Sequence, residues 1–274
     1  MFLRLFQHYF QPLLLLLLLY LQPSAQSGEV YTESQKSTTT GPSVNYVISS
    51  IFGNLFVKNN LSLKDEDVFK KVRAKSLCEC RTACWATNVC HAAALVPVED
   101  HKECHLAKEG PHKTTTQYLQ GAIYLFKEDS LPGHYHGLMK DNLTYYEPPE
   151  MMELEEGKKW CNRIPGHRLV IIKTNDQLKT LQEISLKTLD DTPTPKLIWM
   201  NLKKPLQSNE KIWGDGTQVK LTEVWPSLVF GDASQTNVDD VEEFFKFDEN
   251  AFKSSSPSTQ MRILCQANPV GVYW

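Results

Sequence analysis

Beyond its first 27 residues, the 274-residue chain has no apolar run approaching the ~18 residues that a membrane helix needs. No membrane anchor is therefore expected past that point. Basic blocks are also missing: Lys70-Lys71 and Lys203-Lys204 are short and dispersed. With 29 Lys+Arg against 32 Asp+Glu, the net charge is −3. Without a basic stripe, nothing points to DNA or RNA as a partner. The chain contains no G-x-S-x-G, no H-E-x-x-H, no P-loop and no dinucleotide fingerprint, so an enzyme is not expected. There is no internal repeat. What remains is ordinary globular composition, 41% hydrophobic and 22% charged, with length for one large domain or two ordinary ones.

The first 27 residues carry Arg4, no acid, and the apolar stretch from Pro12 to Leu21. That stretch is too short to span a bilayer comfortably and is followed by Ala25-Gln26-Ser27, a small-x-small cleavage pattern. Residues 1–27 thus read as a cleaved secretory signal peptide, with a retained signal anchor or a buried helix as alternatives. The expected location is secreted, extracellular, with no anchor after cleavage. All seven cysteines lie beyond this segment, at 78, 80, 84, 90, 104, 161 and 265, and in an oxidising compartment they read as a disulfide framework. Two N-glycosylation acceptors agree with export, at Asn60-Leu61-Ser62 and Asn142-Leu143-Thr144.

Cysteine clustering suggests two modules, because five lie between Cys78 and Cys104 while Cys161 and Cys265 stand far apart. Composition supplies the boundaries. Residues 28–44, rich in Ser, Thr and Gly, read as a flexible leader; 45–128 form the first domain. Residues 129–143, punctuated by Pro, Gly and His, read as a linker. A second domain follows over 144–268, with a short tail at 269–274. The expected fold class is α+β, two small disulfide-stapled modules.

In the first module, Ser76 and Glu79 form a capping box that opens a helix. Leu77, Cys80 and Cys84 share one face of it, and Cys78 points about 200° round from Cys80. His91 to Val96 and Cys104 to Leu106 read as strands. Zinc is not expected, since the spacing fits none of the common paired ligand sets and export favours oxidation. His134 and His136 could grip a metal by residue type, but in that setting they read as a solvated pair. The Cys-x-x-x-Cys helix (Cys80, Cys84), Cys90 and the Cys104-His105-Leu106 strand together resemble the PAN/apple module. The resemblance implies nested bridges Cys84–Cys90 and Cys80–Cys104, and it lacks that family's outer bridge. Cys78 is then left over, free for an intermolecular bridge that would make a disulfide-linked homodimer. The alternative is that Cys78 takes the place of Cys80.

The second module opens with an amphipathic stretch over 150–161 that places Leu154, Gly157, Trp160 and Cys161 near one face. A buried strand over 167–172 follows, then a helix opened by the Thr174/Gln177 capping box, with Leu178, Leu181 and Ile184 inward. Residues 197–202 and 263–266 read as strands, and Ile212 to Gly216 as a strand turning at Gly-Asp-Gly. Trp199 and Trp213, in apolar strand contexts, read as core. The landmarks Trp160-Cys161, Gly166 to Leu169, Trp199-Met200-Asn201-Leu202, Trp213-Gly214-Asp215-Gly216, Trp225 and Ile263-Leu264-Cys265 resemble those of a C-type lectin-like domain. That resemblance implies a long-range Cys161–Cys265 bridge.

It also implies where ligands would bind. Sugar-binding members bridge sugar hydroxyls through a calcium ion held by several oxygen ligands. Here Gln235-Thr236-Asn237 stands at the loop position, with Asp239 and Asp240 following. Gln235, Asn237, Asp239 and Asp240 are accordingly the candidate calcium and ligand residues. The motif is degenerate: Thr236 replaces a proline, Phe252-Lys253-Ser254 puts a cation where a carboxylate would ligate, and Val241 stands near a missing cysteine. A metal site is thus uncertain and Ca²⁺ is the one cofactor implied, with a solvated acidic loop as the plainer reading. The expected function is non-catalytic recognition, with carbohydrate as ligand and a role in surface recognition or innate immunity. The alternative is a calcium-independent module that binds an extracellular protein.

Overall fold

The computed structural model describes residues 41–51, 53–186, 197–231, 242–248 and 250–274, which belong to a single compact unit. The signal segment and most of the leader lie outside these residues. The first half builds β1 (Asn45–Val47), β2 (Leu55–Leu63), β3 (Val68–Arg73), α1 (Leu77–Trp85), β4 (Ala92–Val98), β5 (His101–Ala107) and β6 (Thr116–Lys127). These strands make one antiparallel sheet in the order β1-β2-β6-β4-β5-β3. Helix α1 starts where the Ser76 hydroxyl accepts from the Glu79 amide at 3.3 Å, and Glu79 reaches back to the Lys75 amide at 2.8 Å. Its inner face carries Cys80 and Cys84, both fully buried. Cys80 is bonded to Cys104 on β5, and Cys84 to Cys90. Cys78, on the outer face, is free and exposed.

The second half contains β7 (His134–Leu138), β8 (Thr144–Glu147), α2 (Leu154–Arg163), β9 (His167–Leu169), α3 (Asn175–Leu186), β10 (Ile198–Lys204), β11 (Ile212–Trp213), β12 (Glu243–Asp248), β13 (Ala251–Ser255) and β14 (Cys265–Ala267). One sheet has the order β7-β8-β14-β9 and another β11-β10-β12-β13. Cys161 of α2 is bonded to Cys265 of β14. Closing a loop of 104 residues in sequence is worth about 4–5 kcal/mol in the chain-entropy account. Beside that bridge, Gly157 lets α2 approach Ile263 so closely that a Cβ there would collide with the isoleucine side chain. Gln177 opens α3 by accepting from the amides of Lys173 and Thr174, at 2.7 and 3.2 Å.

Several boundaries differ from those expected. The segment 129–143 is no free linker: β7 lies within it and pairs with β8, and Tyr135 packs against Phe56 and Tyr46 of the first sheet. The solvated His134/His136 pair is likewise corrected, since the His136 ring is buried 3.7 Å from the Glu147 carboxylate. The leader ends docked, because Val44 is buried and the Ser43 amide donates to the Asn268 carbonyl at 2.8 Å. The tail is held as well. Asn268 accepts from the Gly271 and Val272 amides, and Gln177 donates to the Tyr273 carbonyl at 2.9 Å. Helix α2 begins at Leu154 rather than 150, because Met152 is taken up in a bridge with Met261. After Leu169 the chain leaves the strand, although Val170, Ile171 and Ile172 stay fully buried.

One apolar core spans both halves. It joins Phe56, Tyr124 and Phe126 of the first sheet to Tyr146, Leu154, Cys161, Trp199 and Ile263. His167 sits in this seam, edge-on to Phe56 at 5.3 Å and near Phe126 at 6.4 Å. Burial pushes its imidazole down from 6.5 to about 4, and the Pro165 carbonyl only partly offsets that. The folded state thus binds this proton less readily than the unfolded chain. The contribution is complete above about pH 6.5 and is lost as the pH falls towards 4, with a ceiling of roughly 3 kcal/mol. Denaturant midpoints measured from pH 7 to 4 should fall more steeply for the native chain than for His167→Gln. Parallel curves would remove His167 from the acid response.

Candidate functional site

Gln235, Asn237, Asp239 and Asp240 lie outside the described residues, so the geometry on either side of them carries the description. Before the segment, strand β11 turns at Gly214 to Gly216, and short 3₁₀ turns at Val219–Leu221 and Trp225–Ser227 lead to Phe230. After it, β12 and β13 form a hairpin on the edge of the β10 sheet. The acids there are not an open anionic cluster. Glu242 pairs with Lys203 at 2.7 Å, Glu243 with Lys204 at 3.2 Å, and Asp248 with Lys253 at 2.8 Å. The cation at position 253 thus pairs with the Asp248 carboxylate. Among the described residues, no group of three or more His, Cys, Asp or Glu could hold a metal ion.

The aromatic residues around these turns divide into core and surface. Trp199 and Trp213 are fully buried, and the Trp199 indole donates to the Thr259 carbonyl at 3.0 Å. Trp213, Phe230, Phe245, Phe247 and Phe252 form a continuous ring cluster. Lys211 lies over it, its ammonium 4.5 Å from the Phe230 centroid, and burial pushes that amine down. Trp225 stands at the edge, 6.0 Å from Phe230 and 43% exposed. It forms one wall of a cleft of about 270 Å³, whose other walls include Asn209, Glu210, Lys211 and Lys220. Glu210 and Lys220 are paired across it. Such a cleft offers a flat apolar face beside hydrogen-bonding groups, which suits a ligand apolar on one side and polar at its edge.

Trp225 is recognisable in the sequence as a landmark, but nothing there distinguishes it from the buried tryptophans. Glu210 and Lys220 carry no motif at all. They meet because the β10–β11 connection folds back against the 3₁₀ turn at Val219, where the Val219 amide donates to the Lys211 carbonyl at 3.0 Å. Asn60 and Asn142, each opening an Asn-x-Ser/Thr triplet, are exposed, each with positive φ at a bulge or turn.

No family model and no curated protein matches the chain. Among solved structures, it is similar to the C-type lectin CEL-I from Cucumaria echinata, at 16% identity over 50% of this chain and 96% of that one, with a TM-score of 0.38. It is also similar to the carbohydrate-recognition domain of the mouse scavenger receptor C-type lectin, at 15% identity over 52% and 99%, with a TM-score of 0.39. Human lithostathine matches at 13% identity over 49% and 88%, with a TM-score of 0.38.

The two kinds of tryptophan separate experimentally. Trp213→Ala should cost about 3–5 kcal/mol by leaving a cavity in the ring cluster. Trp225→Ala, at the surface, should stay within about 1 kcal/mol in urea unfolding. Equal losses would mean that Trp225 is a core residue and not a cleft wall.

Proposed function

We propose that the protein is a secreted, non-catalytic recognition molecule that binds carbohydrate through a divergent C-type lectin-like module in its C-terminal half, in surface recognition or innate immunity. The observation that carries this reading is the half-exposed Trp225 ring beside Asn209, Glu210 and Lys220 in one cleft. A sugar ring has the matching chemistry, an apolar face and a rim of hydroxyls. The lectin-like assignment is supported by the Cys161–Cys265 bridge between first helix and last strand, and by Trp199 and Trp213 packed on neighbouring strands. In the N-terminal half, a helix stapled to its sheet through Cys80–Cys104 supports a PAN/apple-like module. Three disulfides and two exposed glycosylation acceptors support the extracellular address. No helix among the described residues is long and apolar enough to cross a membrane.

In this reading the sugar sits in the Trp225 cleft and binding does not require calcium, because the one carboxylate lining that cleft, Glu210, is paired with Lys220. A degenerate metal site at Gln235, Asn237, Asp239 and Asp240 is the competing arrangement. A second reading, binding to an extracellular protein, is favoured by one specific feature. Leu221 and Val229, 71% and 57% exposed, stand on either side of Trp225 in the chain as apolar side chains that a protein partner would cover. Cys78, exposed on α1, would link two copies of the chain through a disulfide.

Two measurements test these statements. On a glycan array, the purified protein should bind with calcium and equally with a chelator, and Trp225→Ala should weaken the signal tenfold or more. Loss of binding in the chelator alone would move the site to the Gln235–Asp240 loop, and silence in every condition would favour the protein ligand. On non-reducing electrophoresis the chain should run as a dimer that collapses on reduction and is missing in Cys78→Ser; a native monomer would remove the intermolecular bridge.

A further inference from the structure

A second, more polar cleft lies away from Trp225, between α2 and the β10 sheet, with a volume of about 320 Å³. Its walls carry two ion pairs. Glu155 holds Lys158 at 2.6 Å along α2, and Glu242 holds Lys203 at 2.7 Å across from β10. The four charged side chains of the cleft, two acids and two lysines, are thus balanced. A phosphate, sulfate or carboxylate ligand would have to compete with Glu155 and Glu242 for the same two lysines. A neutral ligand need displace neither.

Two amides complete the polar lining. Asn162 is exposed at the end of α2, and Asn201 is half-buried on β10. Each amide offers donors and an acceptor side by side, the complement of adjacent hydroxyls. The backbone at Asn201 is held on both sides, its N–H donating to the Val170 carbonyl at 3.0 Å and its main-chain carbonyl accepting from the Gly214 N–H at 2.8 Å. Its side chain occupies the space above Gly214, where any Cβ would collide with it. Phe244 supplies the apolar wall, with the Lys158 ammonium 5.6 Å from its ring centroid. Balanced charge, paired amides on fixed backbone and one aromatic wall form a set that matches a polyhydroxylated ligand and no ionic one.

We infer that the cleft between α2 and β10 is a second binding site, taking a neutral saccharide through Asn162, Asn201 and the two ion-paired carboxylates without a metal. The inference rests on the reading of the C-terminal half as a carbohydrate-recognition module, and it assigns that module a site separate from the Trp225 cleft.

The test uses the full secreted chain with EDTA present, titrated with methyl α-mannoside, methyl β-galactoside and N-acetylglucosamine, with glucuronate as the charged comparison. Trp225→Ala removes the first cleft. In that background at least one neutral saccharide should still bind, and adding Asn162→Ala with Asn201→Ala should weaken it tenfold or more. Glucuronate should bind at least tenfold more weakly than the neutral sugar. Binding abolished by Trp225→Ala alone would overturn this second site and leave the lectin reading standing. Absence of binding by the native chain to all of these sugars, and to the glycan array, would overturn both. Should the triple variant fail to fold, the side-chain amide resonances of Asn162 and Asn201 in the native chain provide the readout. They should shift on saturation with the bound sugar, and unmoved signals would overturn the assignment.

Discussion

The Cys161–Cys265 bridge is the constraint from which the C-terminal half is hung. It fixes α2 against β14, and β14 is the strand that pairs with both β8 and β9. The next residue, Gln266, is fully buried, and its amide donates to the Tyr145 hydroxyl at 3.2 Å and the Ile171 carbonyl at 3.1 Å. Asn268 then ties down the Gly271–Val272 turn and meets Ser43 from the far end of the chain. A covalent tie at this point therefore aligns the Gln266 bonds and the Asn268–Ser43 bond, whose partners are more than ninety residues apart in sequence. Without it, each of those contacts would have to be closed against chain entropy on its own.

Around that strand the polar interior is built from compensated charge. Burial raises the Glu147 carboxyl, but two hydrogen bonds from Arg262, at 2.5 and 2.8 Å, together with nearby His136, more than offset this and hold it below its ordinary range. Asp215 follows the same pattern: burial pushes it up, and Lys173 at 2.6 Å with the Thr217 amide brings it down. Arg168 lies 3.7 Å over the Trp274 ring, and burial lowers it to about 10 despite Asp215. The recurring device is a charge held by its opposite in partly dry surroundings, which specifies a geometry more than it adds stability. At the surface the two clefts also carry ion pairs, Glu210–Lys220 in one and Glu155–Lys158 with Glu242–Lys203 in the other, all more open to water.

The elements were largely legible because they rest on local chemistry. Ser76 with Glu79 and Thr174 with Gln177 are caps whose partners lie three residues apart, so spacing alone marks both helix starts. Opposite faces of one helix separate Cys78 from Cys80 and Cys84 by simple rotation, and Trp199 and Trp213 sit in runs of apolar residues. The binding surfaces were far less legible. Glu210 meets Lys220 through a loop that folds back, and Asn162 shares a cleft with Asn201 only because α2 crosses the β10 sheet. No periodicity links such pairs. Nothing local in the run from Glu242 to Asp248 shows that Glu242 and Glu243 are paired, because their lysines, at 203 and 204, stand elsewhere in the chain.

The partition between halves shows the same limit. Pro, Gly and His punctuation in 129–143 has the composition of a connector, yet Tyr135 and His136 point into the protein because β7 finds β8 as a partner. Val44 looks like part of a polar leader until Gly166 and Asn268 provide a surface for it. By itself the sequence determined what depends on near neighbours: helix starts, strand runs, the inward cysteines and the tryptophans that must avoid water. Only the tertiary structure decided what depends on distant ones: a core shared by both halves, a histidine kept neutral at its centre, and clefts whose acids are paired with lysines. The reason is physical. Caps and periodicity are satisfied within a few residues, whereas desolvation and ion pairing are properties of a place that many separated segments create together.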